Sequence, residues 1–338
     1  MLQPNITKIE SLVCNTGRKF LESQGYIEIF PPRLVRASGA CENIDTLFEV
    51  AVGNDKQWFT PNNKPTSAYL AQTGQLYLEA LVPALNKVCC IGPSFRAEPS
   101  VDNRHLTEFT MLEIEFAGDF ETLLQTIQAT VHHMAQTVAS VAQAKQVALS
   151  DDNIKRLSEC PAVFARLTYD EAISSLQKLG EDIQWGDDIS RQREQMLVKQ
   201  ADNIPLFITH FPDPMHDHGK EIGVEKFFNM LPDPNKPGRV QSADLILPFA
   251  GESVGSAARV HDADTLLARL TNSRMYKRLI AKGGSLDDFS WYINQLKSNG
   301  SVPHAGCGFG LARVIQWIHG SDSIHDCLTF PQNKNLLI

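Results

Sequence analysis

The stretch VCCIGPSFRAEPSVDNRHLTEFTMLEIEF, residues 88–116, decides the fold. The apolar run at its start is followed by an arginine and a glutamate, Arg96 and Glu98, and a second run begins at Phe109. Two apolar runs joined by a polar segment are typical of a β-hairpin. The polar segment here is dense in cations and carboxylates. The sequence therefore predicts two antiparallel strands with a strongly charged loop between them.

This hairpin resembles motif 2 of the class II aminoacyl-tRNA synthetases, which grips ATP, and it is most similar to the asparaginyl branch. The resemblance implies that Arg96 is catalytic, because a rigid guanidinium neutralises a developing phosphorane better than a mobile ammonium does. It also implies that Glu98 faces the adenine and that Phe109 stacks on its ring. His105, in the loop, is expected to approach the pyrophosphate.

A second motif lies near the C-terminus, where VPHAGCGFGLARVIQWI covers residues 302–318. Apolar residues recur there at helical spacing, namely Leu311, Val314, Ile315 and Ile318. The pattern predicts a glycine-rich entry, which lets the backbone approach a ligand, followed by an amphipathic helix. Segment 301–319 resembles motif 3 of the same family. The resemblance implies that Arg313 holds the γ-phosphate of ATP.

The N-terminal segment 10–33 resembles motif 1 of the family. Apolar spacing predicts a helix that stops at Gly25, followed by a short strand broken by Pro31 and Pro32. In the family this helix and strand build a dimer interface, so the resemblance implies a homodimer. Taken alone, the same pattern also fits an ordinary helix packed on a strand.

Four residues are implied as contacts for a substrate amino acid. The resemblance assigns Glu42 to the substrate ammonium, Gln75 and Glu79 to its pocket, and Arg259 to its side chain. For Glu79 the alternative is a solvated helix residue. The family's Gly-Gly-Ser-Gln-Arg-Glu appears as Gly-Ser-Ala-Ala-Arg-Val at residues 255–260. Because these altered residues are expected to line the pocket, the side chain accepted need not be that of asparagine.

Asp244 and Glu252 lie eight residues apart and frame an apolar run. Hard carboxylate oxygens suit Mg²⁺, which usually keeps several waters and bridges nucleotide phosphates. The family places two such acids on neighbouring strands. The resemblance therefore implies ATP and Mg²⁺ as cofactors, with Asp244 and Glu252 as the metal ligands.

Composition indicates a cytoplasmic enzyme. The chain has 31 basic and 39 acidic residues, a net charge of −8, and no block rich in lysine or arginine. This argues mildly against a tRNA partner, because nucleic-acid affinity depends on contacts between cations and phosphates. Seven cysteines without a CxxC pair or a signal peptide favour a reducing cytosol. No apolar run approaches the roughly twenty residues of a membrane span.

The whole chain, residues 1–338, is interpreted as one α+β catalytic domain: an antiparallel sheet flanked by helices. A mostly helical insertion is expected over 121–225, beginning with one long amphipathic helix that ends in the polar stretch 149–153. Residues 205–212 are predicted to be a buried strand. Segment 213–223, which holds His216 and His218, is interpreted as a loop over the substrate mouth, with a transition-metal site as the alternative. The anticodon-reading β-barrel of bacterial asparaginyl enzymes is not expected in this chain.

Three functions remain open at this stage. The first is an ATP-dependent ligase that adenylates aspartate, asparagine or a close analogue and passes the acyl group to ammonia or a small amine, as archaeal asparagine synthetase-like relatives do. If aspartate is the substrate, its side-chain carboxylate would face Arg96. The second is aminoacylation of a tRNA or a carrier with a separate docking partner. The third is a non-catalytic ligand sensor, which would not need the whole set of ATP-binding residues.

Overall fold

Helix α1 (Pro4–Ser23) begins the part of the chain that the computed structural model describes, residues 4–36, 44–224, 226–299 and 302–337. Its apolar face buries Ile6, Ile9 and Val13. The chain then turns at Gly25, whose φ of +83° is a left-handed value that glycine adopts without strain. The predicted N-terminal helix and its end are therefore present.

The strands within the described ranges form two sheets. The strands are β1 (Ile27–Glu28), β2 (Leu34–Val35), β3 (Glu49–Val50), β4 (Ala68–Leu70), β5 (Lys87–Phe95), β6 (Glu108–Ala117), β7 (Ala165–Thr168), β8 (Leu206–Thr209), β9 (Ser242–Leu247), β10 (Gly251–Ala258) and β11 (His304–Gly310). The larger sheet has the order β1-β5-β6-β11-β10-β9-β8-β7, and the smaller one has the order β2-β4-β3. In the larger sheet only β1–β5 and β7–β8 are parallel pairs. The predicted antiparallel sheet is present with these two parallel pairs as exceptions, and the hairpin β5–β6 is confirmed.

The other α-helices of the described ranges flank the larger sheet or close its ends. They are α2 (Gln75–Leu85), α3 (Phe120–Gln143), α4 (Asp151–Ser158), α5 (Tyr169–Lys178), α6 (Arg191–Gln200), α7 (Ala263–Asn272), α8 (Arg274–Ala281), α9 (Ser290–Asn299) and α10 (Leu311–His319). Side-chain caps begin several of them. Thr168 and Glu171 form a reciprocal capping box at α5, which satisfies backbone N–H groups that the first helical turn leaves unpaired.

Strand alternation divides the sheet into a core face and a cavity face. In β9, the side chains of Ala243, Leu245 and Leu247 enter the main hydrophobic core together with residues of α1, α3 and α10. The intervening Asp244 and Ile246 line a cavity on the opposite face. A period of two is what an extended strand imposes. One strand therefore supplies both the core and the candidate site.

One local prediction differs from the structure. Helix α3 ends at Gln143 rather than in the stretch 149–153, which instead leads into α4 with Ser150 as its N-cap. Lys145 has a φ of +57°, so the chain leaves the helical path there. The glycine-rich entry to α10 is the strand β11, which pairs with β10 on one side and with β6 on the other. Glycines occupy alternate positions of this strand, which leaves room for large side chains that approach it from the cavity.

The insertion contributes strands as well as helices. Residues 205–212 contain the predicted buried strand, β8, and β7 joins it in parallel register. Among the described residues, no helix is both long and apolar enough to cross a membrane. The cysteines in these ranges, Cys14, Cys89, Cys90, Cys160, Cys307 and Cys327, are free thiols.

Candidate active site

A cavity of about 580 Å³ opens on the sheet face opposite the main core. This volume lies within the range of about 300–1,000 Å³ that is typical of small-molecule sites. Residues from β6, β9, β10, β11, the β5–β6 loop and the insertion line it. Most of the residues predicted from sequence meet here: Gln75, Arg96, Glu98, His105, Phe109, Asp244, Glu252, Arg259 and Arg313. Glu42 lies outside the described residues.

Arg96 and Phe109 face each other across the hairpin. The Arg96 guanidinium carbon lies 5.2 Å from the centroid of the Phe109 ring, within cation–π range. The Arg96 backbone N–H donates to the Thr107 carbonyl at 2.9 Å, which extends the hairpin pairing beyond β5. Both side chains are thus held by neighbouring hairpin positions. This places a planar cation and an aromatic ring together on the cavity wall.

Asp102 organises the hairpin loop. Its Oδ1 accepts hydrogen bonds from the backbone N–H groups of Arg104 at 2.8 Å and His105 at 3.0 Å. Its Oδ2 lies 2.7 Å from His105 Nδ1. Although burial raises the pKa of Asp102, these hydrogen bonds lower it below its ordinary value. The loop therefore presents Arg104 and His105 to the cavity in a fixed arrangement.

Arg313 and Glu252 lie together at the end of the cavity that also holds Arg96. Arg313 Nη1 donates to the backbone carbonyl of Glu252. Burial raises the pKa of the Glu252 carboxyl, but Lys226, Arg313, Arg96 and other cations together lower it below the ordinary value. The carboxylate is therefore ionised and surrounded by positive charge, an arrangement suited to polyphosphate and to a divalent cation.

A β-bulge places Glu252 on the cavity face. The register of β9 and β10 shifts between Glu252, which pairs with Ile246, and Val254, which pairs with Leu245. Opposed residues share a face, so Glu252 joins the cavity face, whereas regular pairing would place it on the core face with Leu247. The bulge re-aims this side chain toward Asp244, as bulges near active sites commonly do.

Lys226 is a cavity residue that the sequence analysis missed. Its Nζ lies 2.6 Å from Asp244 Oδ2. Burial and the neighbouring Glu252 raise the pKa of Asp244 to about 7, whereas Lys226 lowers it. Because the short hydrogen bond to an ammonium favours the carboxylate, we treat the two as an ion pair. Lys226 and Asp244 are 18 residues apart in the sequence, so no helical or strand periodicity could have predicted their contact.

The insertion adds Glu194 and Asp188 to the cavity, and neither was predicted. Glu194 Oε2 accepts from the Glu252 backbone N–H at 3.1 Å and lies 4.0 Å from Arg104 Nη2. Burial, then repulsion by Glu252, raises the pKa of Glu194 to about 7. The sequence held a weak signal for Glu194. It is a charged residue on the same face of α6 as the buried residues Leu197 and Val198.

Arg259 lines the opposite end of the cavity, where it pairs with Glu115. The Glu115 Oε1 atom accepts from Arg259 Nε at 3.0 Å and from Nη2 at 2.6 Å. Burial and the nearby Glu79 raise the pKa of Glu115 to about 7, against the opposing effect of Arg259. The alternation of Met111, Glu113 and Glu115 in an otherwise apolar strand was a signal that two carboxylates share the cavity face.

Glu79 lies behind this pair and is not among the residues that line the cavity, and its contact with substrate stays a prediction. It is also not solvated, since its side chain is fully buried. The reason is helical geometry: the preceding Leu78 lines the cavity, and the next side chain points about 100° away. Glu79 Oε2 accepts from Tyr292 and lies 3.2 Å from His304 Nε2, while Oε1 lies 3.9 Å from Arg259 Nε.

The hydrogen-bond partners of His304 favour its doubly protonated form. Its Nδ1 lies 2.8 Å from the Val302 carbonyl and its Nε2 lies 3.2 Å from the Glu79 carboxylate, and both oxygens are acceptors. Burial lowers the pKa of His304, but the hydrogen bond and charge of Glu79 raise it above the ordinary value. The same contacts, with Arg259, lower the pKa of Glu79 to about 2 against burial. Glu79 is therefore a buried carboxylate that contacts both Arg259 and His304.

Gln75 does line the cavity, and its Nε2 donates to Glu79 Oε1 at 2.6 Å. The expectation for the altered segment 255–260 is largely wrong. Ala257, Ala258 and Val260 pack in hydrophobic clusters, and among the changed residues only Ser256 lines the cavity. Ala258 lies on the core face of β10 with Val254, whereas Ala257 lies on the other face and packs with Ile208 and Ile246.

The acidic pair suits a magnesium ion in its donor chemistry. Asp244 and Glu252 bring hard carboxylate oxygens to one wall of a polar cavity, and Mg²⁺ is bound in proteins through one or two carboxylates with nucleotide phosphates. In the described ranges, no group of three or more His, Cys, Asp or Glu side chains is arranged to hold a metal ion. His216 and His218 therefore do not form a transition-metal site with the described residues.

Comparisons with known proteins agree with this geometry. The family described as tRNA synthetases class II (D, K and N) matches residues 3–334. The chain is 34% identical to the asparagine–tRNA ligase of Thermococcus kodakarensis over 334 residues, which cover 98% of this chain and 70% of that relative. It is 35% identical to the Pyrococcus furiosus enzyme over 329 residues, or 97% of this chain and 68% of the relative.

Solved structures show the same likeness. The asparaginyl-tRNA synthetase of Pyrococcus horikoshii, complexed with asparaginyl-adenylate, matches with a TM-score of 0.81 and 32% identity, covering 99% of this chain and 69% of that one. The Entamoeba histolytica enzyme, also with asparaginyl-adenylate, matches with a TM-score of 0.78 and 30% identity over 97% of this chain and 67% of that one. Synthetases of this class use ATP and Mg²⁺. The chain therefore belongs to the class II tRNA synthetases of the D, K and N family.

Proposed function

We propose that this protein adenylates the carboxylate of aspartate, asparagine or a close analogue and transfers the acyl group to ammonia or a small amine. One observation carries the proposal. A single cavity joins the cationic end, with Arg96 and Arg313, to the Glu115–Arg259 pair at its other end. The first end suits ATP and the second suits a small polar side chain.

In the first step a carboxylate oxygen attacks the α-phosphorus, a new O–P bond forms, and the bond to the β-phosphate oxygen breaks to release pyrophosphate. Arg96 neutralises the charge that develops on the α-phosphate, Phe109 packs against the adenine, and Arg313 and His105 bind the leaving phosphates. Mg²⁺, held by Asp244 and Glu252, would neutralise further phosphate charge. Preorganised charge of this kind is commonly the largest catalytic contribution.

In the second step the nitrogen of ammonia or an amine attacks the acyl carbon. The acyl–phosphate bond breaks, AMP leaves with the electron pair, and the nitrogen loses a proton. If aspartate is the substrate, its side-chain carboxylate faces Arg96, and the product is an amide. The net charge of −8 supports a small acceptor, because a tRNA requires several cation–phosphate contacts.

The second candidate is aminoacylation of tRNA, which the names of the relatives favour. It needs docking of an acceptor stem, with a separate polypeptide or carrier to supply further contacts. A ligand sensor without catalysis is the third candidate. Retention of Arg96, Phe109, Glu252 and Arg313 in one cavity argues against it.

The test uses the 338-residue chain with ATP, Mg²⁺ and a panel of amino acids. We expect amino-acid-dependent pyrophosphate exchange, and AMP formation that ammonia or a small amine accelerates while total tRNA does not. Alkali-labile labelling of tRNA by a radioactive amino acid at physiological salt would establish the second candidate instead. Absence of exchange with every amino acid, in protein that binds ATP, would favour the sensor.

We also propose that the protein is a homodimer. Ile27, Phe30 and Leu34 belong to the motif 1 region and are large apolar side chains exposed to solvent, Phe30 by 88%. β1 is the edge strand of the larger sheet, so its outer side is open for pairing. An exposed apolar group beside an open sheet edge is typical of a surface that a partner covers.

A further inference from the structure

Lys226 lies inside the cavity among three carboxylates. Its Nζ is 2.6 Å from Asp244 Oδ2, and the two side chains are only 10% and 12% exposed. Glu252 and Asp188, which also line the cavity, attract the same ammonium. This lysine is therefore placed where the predicted metal ligands converge, not in a salt bridge on the protein surface.

The surroundings keep this ammonium charged and in place. Nζ lies 3.8 Å from the centroid of the Phe211 ring, well within the roughly 6 Å of a cation–π contact. The ammonium is also balanced by the Asp244 carboxylate at 2.6 Å and by the negative charge of the nearby Glu252. Asp244 thus has a permanent cationic partner before any nucleotide binds.

A permanent ammonium changes how many divalent ions the site can take. Paired metal ions in phosphoryl-transfer sites lie about 3.5–4 Å apart and share carboxylate ligands. One oxygen of Asp244 is already committed to Lys226, so a second metal ion at that position would meet a positive charge. The Glu252 carboxylate is attracted by the same ammonium and by Arg313 and Arg96.

We propose that Lys226 is a built-in cation of the acidic site: its ammonium neutralises Asp244 in place of a second divalent ion. The site then takes one Mg²⁺, for which Glu252 is the stronger of the two carboxylate ligands. This inference rests on the proposed ATP-dependent function and deepens it. Lys226 is accordingly a positioning residue that determines how many metal ions the acidic pair accepts.

The test measures binding of Mn²⁺ alone to the nucleotide-free protein, by the electron paramagnetic resonance signal of the free ion. Lys226→Met removes the charge at similar volume. We expect it to bind Mn²⁺ at least about tenfold more tightly than the wild type, because a cation next to the ligands is lost. Adding Asp244→Asn to Lys226→Met should reverse the gain. Lys56→Met is the matched control, since Lys56 lies 2.6 Å from Glu49 but on the surface.

Unchanged or weaker Mn²⁺ binding by folded Lys226→Met would overturn the proposal. A second comparison decides the matter if that variant does not fold. With Lys226 present, Asp244→Asn should lower Mn²⁺ affinity less than Glu252→Gln does, because the glutamine variant loses the main ligand as well as a charge. Equal losses in both would show that Asp244 is an ordinary metal ligand. None of these measurements depends on adenylation, so failure of the proposed function would not affect their outcome.

Discussion

Glu115 binds Arg259 through one carboxylate oxygen only. Oε1 accepts from both Nε and Nη2, while Oε2 is buried and has no hydrogen bond within the described part of the chain. A buried acceptor without a partner is costly unless a ligand satisfies it. The arginine charge is meanwhile balanced by the same carboxylate. We therefore expect this end of the cavity to favour a group that donates a hydrogen bond over a second anion.

Replacing Glu115 by glutamine should shift the choice of amino acid. The change removes the negative charge that balances Arg259, so the pocket becomes more favourable for a carboxylate. We expect the ratio of kcat/KM for asparagine to that for aspartate in pyrophosphate exchange to fall about 10- to 100-fold, which corresponds to one charged hydrogen bond of about 1.5–3 kcal/mol. A ratio that does not change would exclude Glu115 from side-chain recognition.

Gly306→Ala tests the same pair through its packing. A Cβ at Gly306 would overlap the carboxyl group of Glu115 and the carbonyl oxygen of Ile114. The substitution must therefore displace Glu115 from Arg259, and we expect pyrophosphate exchange to fall at least about a hundredfold. Such a loss is typical when reacting groups are misplaced by about 1 Å.

Gly223→Ala is the control for this substitution, because the nearest atom to a Cβ there is 3.6 Å away. We expect it to leave exchange within about twofold of the wild type, since that separation is ordinary van der Waals contact. Comparable activity in Gly306→Ala and Gly223→Ala would mean that the position of Glu115 does not matter for the reaction.

Sequence patterns predicted the contacts between residues that belong to one local element. Arg96 and Phe109 meet because they flank one hairpin, and the apolar runs on both sides predict that hairpin. Lys226 and Asp244 meet only through a loop and the pairing of β9, so no local pattern indicates their contact. The position of Glu252 additionally depends on a β-bulge. Periodicity indicates which side chains share a face, but it does not show which faces come together.

The charge of Arg96 should be required for catalysis but not for ATP binding. Arg96→Ala removes the guanidinium expected at the α-phosphate, and one such donor is worth roughly 3–4 kcal/mol in the transition state. We expect a loss of about a hundred- to a thousandfold in pyrophosphate exchange, with ATP affinity within about tenfold of the wild type. Arg166→Ala is the control, because Arg166 pairs with Glu121 near the surface. Near-normal exchange by Arg96→Ala would remove this residue from the mechanism.

Phe30→Asp should dissociate the proposed dimer. A carboxylate in a buried apolar interface has no compensating partner, and its desolvation costs several kcal/mol. We expect sedimentation velocity at micromolar concentration to show a monomer for this variant and a dimer for the wild type. Val163→Asp is the control, since Val163 is 72% exposed and lies outside motif 1. A monomeric wild type, or a dimer that Phe30→Asp leaves intact, would contradict the proposed interface.

The Glu79–His304 pair should make folding stability depend on pH. The pKa of His304 is raised above its ordinary value of 6.5 in the folded protein, so folding takes up a proton near and above that pH. Its contribution to the free energy of unfolding is complete below about pH 6.5 and is lost as the pH rises through the folded-state pKa. The slope is at most about 1.4 kcal/mol per pH unit for one proton. Urea unfolding between pH 6 and pH 9 measures it.

His304→Gln should remove the part of this slope that His304 contributes, because glutamine does not titrate while its amide can still donate to Glu79. Glu194, whose pKa is raised to about 7, contributes equally in both proteins. On the acid side the sign reverses. The pKa of Glu79 is lowered to about 2, so its contribution is present above about pH 4.5 and is lost as the pH falls toward 2. His133→Gln, at an exposed position on α3, is the control and should keep the wild-type slope. An unchanged slope in His304→Gln would show that the imidazolium does not stabilise the folded protein.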